Sequence, residues 1–351
     1  MTLFLEGYDL VVFGSTVPAL LEYGPWGLEP GQVGLLGSVA VIGMLVGALV
    51  AGVLTDVVGR RIVVAGSVTL FSVAMVACAM APSVGLFTVA RLAVGLGAGA
   101  LLPSVIALVI ETAPVARRTL HVTIAFAGTG VGGSAAALVA LFFVPDGQFR
   151  PVYLIGALPA VLLVPMLIRY LPETKRLPET GRTENDLPTP SIRSRVASLF
   201  QDGYAIPTLI FWGVTFLSLL TLFGASTWLP SLMKAAGFGV SSSLAFLLLL
   251  YAGGTVGALL ASLVADSVGP RWVLFTAFCS AAASFALLST QPPTVIAYVL
   301  VIFAGFGAAG AQTLANAYVG TSYPADRRAT ALGFSLGVGR LGGILGPIPG
   351  G

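Results

Sequence analysis

The sequence carries a few charged side chains inside apolar segments of helix length, and these are the residues that could bind ions or transfer protons. Glu6, Asp9, Arg91 and Arg340 each lie in such a segment. An ionised side chain near the centre of a bilayer costs about 2.5–3.5 kcal/mol on insertion scales, so a charge kept there is a candidate for function. These four residues are therefore the first candidates for a working site.

The two carboxylates near the start of the chain suit proton transfer. Glu6 and Asp9 are three residues apart, so they share one face of a helix. Repulsion between them and loss of hydration both favour the binding of a proton by at least one of the two. We expect Asp9 to be the main proton carrier and Glu6 to assist it. The alternative is that each carboxylate only neutralises a buried arginine.

Arg340 is the candidate for binding an acidic substrate. Its neighbours at helical spacing are mostly small or apolar, namely Gly333, Gly337, Ile344 and Pro347. They would shield it poorly from lipid, so we expect it to face an internal cavity. A guanidinium offers a planar pair of donors that matches a carboxylate. The alternative is a fixed ion pair with Glu6 or Asp9.

Arg91 leaves two interpretations open. It can serve as a charge relay linked to the proton, or it can support the structure alone. The charge pattern does not separate these roles, and we keep it with the proton-coupling residues.

A polar stripe on a later segment is the second candidate for substrate contact. Gln312 and Asn316 are four residues apart and offer neutral donors and acceptors for a hydroxyl or an amide of a substrate. Side chains of this kind also hold membrane helices together. Aromatic residues could line the same site, with Tyr8 as the candidate chosen and Phe13, Trp228 and Tyr251 as weaker ones.

The elements that must position these residues are membrane helices. Hydrophobic residues make up 57% of the 351 residues and charged residues 9%, with a mean hydropathy of +0.98, whereas soluble domains carry roughly 25% charged residues. A crossing helix needs about 20 apolar residues. Eleven segments meet this need, near 3–22, 31–54, 62–82, 84–110, 119–144, 150–171, 205–229, 240–264, 272–290, 293–321 and 329–349. The predicted fold class is an all-α, polytopic membrane protein.

The segments repeat at an offset of 210 residues. Gly59 is matched by Gly269, Pro114 by Pro324, and the other pairs without a gap are Asp56 with Asp266, Arg61 with Arg271 and Arg117–Arg118 with Arg327–Arg328. Such repeats build secondary transporters from two similar helical halves around a central site. We predict an N-terminal half at 1–171, a proline-rich linker at 172–204 and a C-terminal half at 205–351. The counterpart of segment 6 would lie near 360–381, so we expect the twelfth helix to be absent and the chain to be clipped at both ends.

The positions of the basic residues predict the orientation. Most of the 17 lysines and arginines follow even-numbered segments, and only Arg150 and Lys234 occupy the opposite loops. The positive-inside rule then predicts that the N-terminus and the loops after the even-numbered segments lie in the cytoplasm. The expected location is the inner (plasma) membrane of the cell. The basic residues are scattered over short loops, so nucleic acid is not an expected partner.

Several stretches resemble known transporters. Residues 52–61 (GVLTDVVGRR) are similar to the loop between helices 2 and 3 of the major facilitator superfamily, with Val57 in place of the usual basic residue. Residues 91–99 (RLAVGLGAG), followed by Pro103, are similar to its helix 4. Residues 6–9 (EGYD) and 337–342 (GVGRLG) resemble helices 1 and 11 of the aromatic acid:proton symporters, with Glu6 in place of an aspartate.

This resemblance implies a function. It implies two pseudo-symmetric six-helix halves and a proton-coupled importer of a small organic anion, an aromatic carboxylate, that works by alternating access as a monomer. It also implies a gating loop between the halves, for which the candidate residues are Asp56, Gly59, Arg60, Arg61, Asp266 and Arg271. Pro270 stands where the second copy would carry a counterpart of Arg60.

Other functions remain open at this stage. The alternatives within transport are a symporter of a non-aromatic acid and a proton antiporter for efflux, since residues 346–351 (GPIPGG) resemble an antiporter motif. A membrane sensor on the same scaffold is an alternative of another class. An enzyme is not expected, because the sequence has no phosphate loop or nucleophile elbow and its single histidine, His121, lies at a helix start. We expect no cofactor and no metal, and we read Cys78 and Cys279 as free thiols.

Overall fold

The computed structural model describes residues 1–112, 118–170 and 196–350, and all secondary structure in these residues is helical. Most of the predicted linker therefore lies outside the described residues, and the predicted boundaries of the two halves stay a prediction. The first six segments are α1 (Thr2–Glu22), α2 (Pro30–Val58), α3 (Arg60–Met80), α4 (Val84–Thr112), α5 (Arg118–Phe143) and the pair α6a (Arg150–Ala157) and α6b (Pro159–Tyr170).

Five further segments follow. They are α7 (Ala205–Ala235), α8 (Val240–Val268), α9 (Pro270–Leu288), the pair α10a (Thr294–Gly305) and α10b (Ala311–Ser322), and α11 (Ala325–Leu345). A π-helical turn, Phe306–Gly310, joins α10a to α10b. The break between α6a and α6b comes directly before Pro159, whose ring disfavours a helical conformation of the preceding residue.

The 210-residue repeat is visible in the helix bounds. α8 begins and ends 210 residues after α2, and the whole of α10 has the same relation to α4. Gly59 and Gly269 occupy matching breaks after α2 and α8, with φ angles of 89° and 93°. L-residues with a side chain rarely adopt this conformation, so glycine lets the chain reverse there in both copies. The prediction of two similar halves is confirmed at the level of the helices.

The helices are long and apolar enough for a membrane. Ten of them qualify as membrane-crossing helices in the described part of the chain, and the eleventh segment is represented by a shorter apolar helix at Thr330–Leu345. Large apolar side chains stay exposed on the outside of the bundle, among them Leu49, Leu162, Leu263 and Val295. An apolar outer surface of this kind fits lipid and not water.

α1 lies at the centre of the bundle, where 89% of its apolar stretch is buried. Glycines permit its close contacts. A methyl group built on Gly7 would lie 1.8 Å from the backbone oxygen of Thr129 in α5, and one on Gly14 would lie 1.8 Å from that of Ser226 in α7. Close backbone approach at small residues is how membrane helices gain packing energy without a hydrophobic driving force.

The first six segments (α1 to α6b) and the later segments (α7 to α11) contact each other on the side of the bundle where α1 ends and α2 begins. We call this side the Glu22 face. There Lys234 of α7 forms an ion pair with Glu22 of α1, and the Ser38 hydroxyl of α2 donates to the backbone oxygen of Ile344 in α11 at 2.6 Å. In this structure the halves are therefore closed against each other at the Glu22 face.

Candidate functional site

A cavity of about 240 Å³ lies between the two sets of helices. Its walls come from α1, α2 and α5 on one side and from α7, α8, α10 and α11 on the other. The polar lining residues are Glu6, Thr129, Tyr251, Thr255, Ser262, Gln312, Thr313, Asn316 and Arg340. The rest of the wall is apolar and includes Phe126 and Phe223. A largely apolar cavity with a few polar groups is the usual form of a small-molecule site.

Glu6 and Arg340 supply the charged groups of this cavity in the described part of the chain. They come from α1 and α11, and each lies in the electrostatic field of the other. The Arg340 guanidinium also donates from Nη1 to the backbone oxygen of Met44 in α2. Glu6 is buried, and its Oε2 atom has no hydrogen-bond partner among the described residues. Arg340 therefore faces the cavity, as the sequence predicted, and spans from one half to the other.

Asp9 and Arg91 form a separate pair behind the cavity wall. Arg91 Nη1 donates to Asp9 Oδ1 at 2.6 Å, and the two side chains are 4% and 0% exposed. The guanidinium also lies 4.9 Å from the ring centre of Phe13. Asp9 Oδ2 and Arg91 Nε have no partner in the described residues. Neither residue lines the cavity, so the two neighbouring carboxylates of α1 have different surroundings.

Gln312 and Asn316 both line the cavity from α10b. Gln312 Nε2 donates to Asn316 Oδ1 at 3.0 Å, which confirms the single polar stripe. The π-helical turn ends just before Gln312 and rotates α10b relative to α10a, since it holds one residue more than an α-helical turn. The Ser218 hydroxyl of α7 donates to the Ala308 oxygen inside this turn at 3.3 Å and helps to satisfy it.

Tyr8 corrects one expectation. Its hydroxyl donates to the backbone oxygen of Val152 in α6a at 2.7 Å, and its ring packs on Gly156. Tyr8 is buried and does not line the cavity. It therefore joins α1 to α6a and lies outside the cavity wall, because its position on α1 points opposite to the cavity side of the helix.

Five polar lining residues were not chosen as site residues from the sequence, namely Thr129, Tyr251, Thr255, Ser262 and Thr313. Thr129 of α5 and Thr255 of α8 lie near the α5–α8 crossing, and Thr129 Oγ1 is buried without a partner among the described residues. Tyr251, predicted only as a weak aromatic candidate, does line the cavity. Isolated threonines are common in membrane helices and do not indicate a site. The one signal in the sequence is that Thr129 adjoins Gly130 in α5.

The gating candidates are only partly visible. The side chains of Asp56, Arg60 and Asp266 lie outside the described residues. Gly59 provides the chain reversal after α2, Arg61 is half-buried, and Arg271 is exposed with its guanidinium 5.3 Å from the Trp272 ring centre. The gating role of these residues stays a prediction.

Two further expectations concern metals and thiols. In the described ranges no group of three or more His, Cys, Asp or Glu side chains could hold a metal ion. Cys78 is a buried free thiol and Cys279 an exposed one.

Known proteins share this architecture. The chain is 34% identical to the benzoate transport protein of Acinetobacter baylyi, over 99% of this chain and 80% of that protein. It is 36% identical to the gentisate transporter of Corynebacterium glutamicum, over 97% and 77%. The crystal structure of a D-xylose-proton symporter superposes with a TM-score of 0.83 at 20% identity, covering 99% of this chain and 87% of that one. The last likeness concerns the fold alone.

The family assignment follows from these matches. The model of the Major Facilitator Superfamily matches residues 1–347, and the ten long apolar helices make the chain a multi-pass membrane protein. The chain belongs to the Major Facilitator Superfamily.

Proposed function

We propose that this protein is a proton-coupled importer of a small organic anion, an aromatic carboxylate, and that the cavity between its halves is the transport site. The observation that carries the proposal is the position of Arg340. It is a cation in an otherwise largely apolar cavity, bounded by helices of both halves. A guanidinium in that setting binds a carboxylate in two-point geometry, while the apolar wall accepts a ring.

Glu6 gives the cavity a means of coupling the anion to a proton. When ionised, Glu6 competes with a substrate carboxylate for the charge of Arg340, since both line the same cavity. When protonated, it leaves Arg340 free to bind the substrate. An anion and a proton then enter the site together, which is the behaviour of a symporter.

Asp9 and Arg91 extend this coupling behind the cavity. Their ion pair is buried on both sides, and breaking it by protonation of Asp9 would leave Arg91 with an unpaired charge at the packing contact between α1 and α4. Burial makes such a change costly, so it favours a movement of one helix against the other. Asp9 is therefore the main coupling residue of the proposal and Glu6 the second.

The similar proteins support the substrate class. Two of them, at 34% and 36% identity over nearly the whole chain, are named as benzoate and gentisate transporters. Both names denote acids with one aromatic ring, a size that suits a cavity of about 240 Å³. The proposal places the protein in the plasma membrane, working as a monomer with its N-terminus in the cytoplasm.

Uptake into proteoliposomes tests the proposal. Radiolabelled benzoate should accumulate when the pH outside is lower than inside, and a protonophore should abolish the accumulation. Protein-free liposomes set the baseline, because neutral benzoic acid crosses lipid unaided. Cyclohexanecarboxylate is the matched non-aromatic acid and should accumulate less. Equal accumulation of both acids would contradict the aromatic class, and stimulation by the opposite gradient would identify an antiporter.

A further inference from the structure

We propose that the Gln312–Asn316 amide pair is a hydroxyl-binding subsite, so that the preferred substrate is an aromatic acid with a hydroxyl group on its ring. The inference rests on the proposed function, in which Arg340 holds the carboxylate. It adds a second recognition point and assigns two specificity-determining residues.

The geometry of the pair leaves hydrogen-bonding capacity unused in the wall of the cavity. Gln312 is 7% exposed, and its Nε2 donates to Asn316 Oδ1 at 3.0 Å. Gln312 Oε1 is buried without a partner among the described residues. Asn316 is half-buried and lines the same cavity. One bond between the two amides thus leaves an acceptor on Gln312 and donors on Asn316.

This conclusion does not depend on the orientation of the amides. If both side chains were rotated by half a turn, Asn316 would donate to Gln312 Oε1, and the free groups would be an acceptor on Asn316 and donors on Gln312. In either arrangement the pair presents one acceptor and at least one donor side by side. A hydroxyl group matches this pattern, because it donates one hydrogen bond and accepts another.

Other polar substituents match the pair less well. A second carboxylate would direct an anionic oxygen at the free amide oxygen, and an ammonium group would direct its charge at the free amide N–H. A hydrogen or methyl substituent would leave a buried acceptor unpaired, which is the costly case for a buried polar group. The pair therefore discriminates against benzoate itself.

The subsite is also held in place. The π-helical turn Phe306–Gly310 ends two residues before Gln312, and the Ser218 hydroxyl donates to the Ala308 oxygen within it. π-turns of this kind are frequent at functional sites. Arg340 lines the cavity of about 240 Å³ from α11 and the amide pair lines it from α10b. The inference requires one substituted aromatic ring to contact both.

Competition binding to the purified, full-length chain tests the inference. The probes are benzoate, 3-hydroxybenzoate, 4-hydroxybenzoate and 4-methylbenzoate, the last because a methyl group has nearly the size of a hydroxyl. At least one hydroxybenzoate should bind roughly 10- to 100-fold more tightly than benzoate and 4-methylbenzoate. In the double variant Gln312→Met and Asn316→Leu, which keeps the shape of the pair but removes its polar groups, the preference should fall to about 1-fold. Gln148→Met, on the exposed outside of the bundle, is the matched control and should keep the preference.

The outcomes separate the two proposals. Equal binding of benzoate and the hydroxybenzoates overturns the hydroxyl subsite and leaves the proposed function intact. A hydroxyl preference that survives in the double variant also overturns it, because other residues would then recognise the hydroxyl. Loss of binding of all four acids by the wild-type protein overturns the proposed function and with it the inference. Retained benzoate binding by the double variant shows that the variant is folded.

Discussion

The two carboxylates of α1 illustrate how neighbours in sequence acquire different tasks. Glu6 lines the cavity with Arg340, whereas Asp9 pairs with Arg91 behind the wall at 2.6 Å. In the proposed mechanism, Glu6 competes with a substrate anion for Arg340, and protonation of Asp9 breaks an ion pair with α4. The alternative, that the carboxylate only neutralises a buried arginine, describes Asp9 when it is ionised. It does not explain why an ion pair is kept in the interior, since apolar residues would pack there at less cost.

Replacing Asp9 by asparagine should uncouple transport. Asparagine keeps an oxygen for Arg91 but cannot titrate, so proton-driven accumulation should be abolished while substrate counterflow is partly retained. Glu6→Gln should be milder. The measurement is uptake into proteoliposomes with and without an imposed pH gradient, and Asp146→Asn, at an exposed position, is the control. Uphill accumulation by Asp9→Asn equal to that of the wild type would remove Asp9 from the coupling mechanism.

Arg340→Lys should weaken binding of a benzoate-type acid nearly as much as Arg340→Ala does. Lysine keeps the charge but loses the planar pair of donors, so it cannot form the two parallel hydrogen bonds by which a guanidinium holds a carboxylate. We expect a loss of roughly 10-fold or more in both variants, measured by equilibrium binding. Wild-type affinity in the lysine variant would mean that Arg340 acts only as a point charge for Glu6 and Met44.

At the scale of elements, the distance between packed helices depends on where small residues let their backbones come into contact. α1 touches α5 through glycines on both helices, and a methyl group built on Gly132 would lie 2.0 Å from the Phe4 oxygen. Gly128, one turn earlier on α5, has no such contact, since its nearest neighbour would lie at 3.7 Å. The small residues thus set how closely α5 can approach the helix that carries Glu6 and Asp9.

Gly132→Ala should therefore destabilise the protein and Gly128→Ala should not. The first methyl group forces α1 and α5 apart against backbone atoms, an overpacking effect that costs about 1–3 kcal/mol. The second meets its nearest atoms at ordinary van der Waals distance, 3.7 Å and 3.9 Å, and alanine is the better helix former. Thermal unfolding in detergent, followed together with substrate binding, measures both. A melting temperature of Gly132→Ala at or above that of Gly128→Ala would show that the α1–α5 contact is looser than the structure indicates.

At the scale of the molecule, the halves are closed at the Glu22 face. The contacts there include the Glu22–Lys234 ion pair and the Ser38–Ile344 hydrogen bond. Alternating access requires these contacts to open in another state of the transport cycle. The ion pair is partly exposed, with its two side chains 64% and 30% accessible, so it is a modest and salt-sensitive latch.

Reversing the charge of Glu22 should open this face more often. In Glu22→Lys the two lysines repel each other, so a cysteine placed at buried Ser226 should react with a membrane-impermeant maleimide roughly 2- to 5-fold faster. The exposed Cys279 is first replaced by serine to remove its background. The swapped variant Glu22→Lys and Lys234→Glu should restore the slow rate. Equal rates in all three proteins would show that the ion pair does not contribute to closure.

The sequence by itself determined the helices, the repeat and the family. A bilayer sets the length of an apolar segment, and a glycine with positive φ is required where α2 and α8 end, so both features can be read locally. The prediction of the superfamily fold is confirmed by the family match over residues 1–347. The prediction that Arg340 faces a cavity needed only its helical face, and the structure places it there together with Gln312 and Asn316. Their part in substrate binding stays a prediction.

The tertiary structure decided which groups meet across the bundle. Asp9 finds Arg91 across 82 residues, Arg340 finds the Met44 oxygen across 296, and Tyr8 turns to Val152 and away from the cavity. The π-helical turn before Gln312 and the position of Thr129 in the cavity wall likewise could not be predicted from the neighbouring sequence. Such pairings depend on the rotation of each helix about its axis and on the distance between axes, which follow from packing all the helices together and not from the period of any one segment.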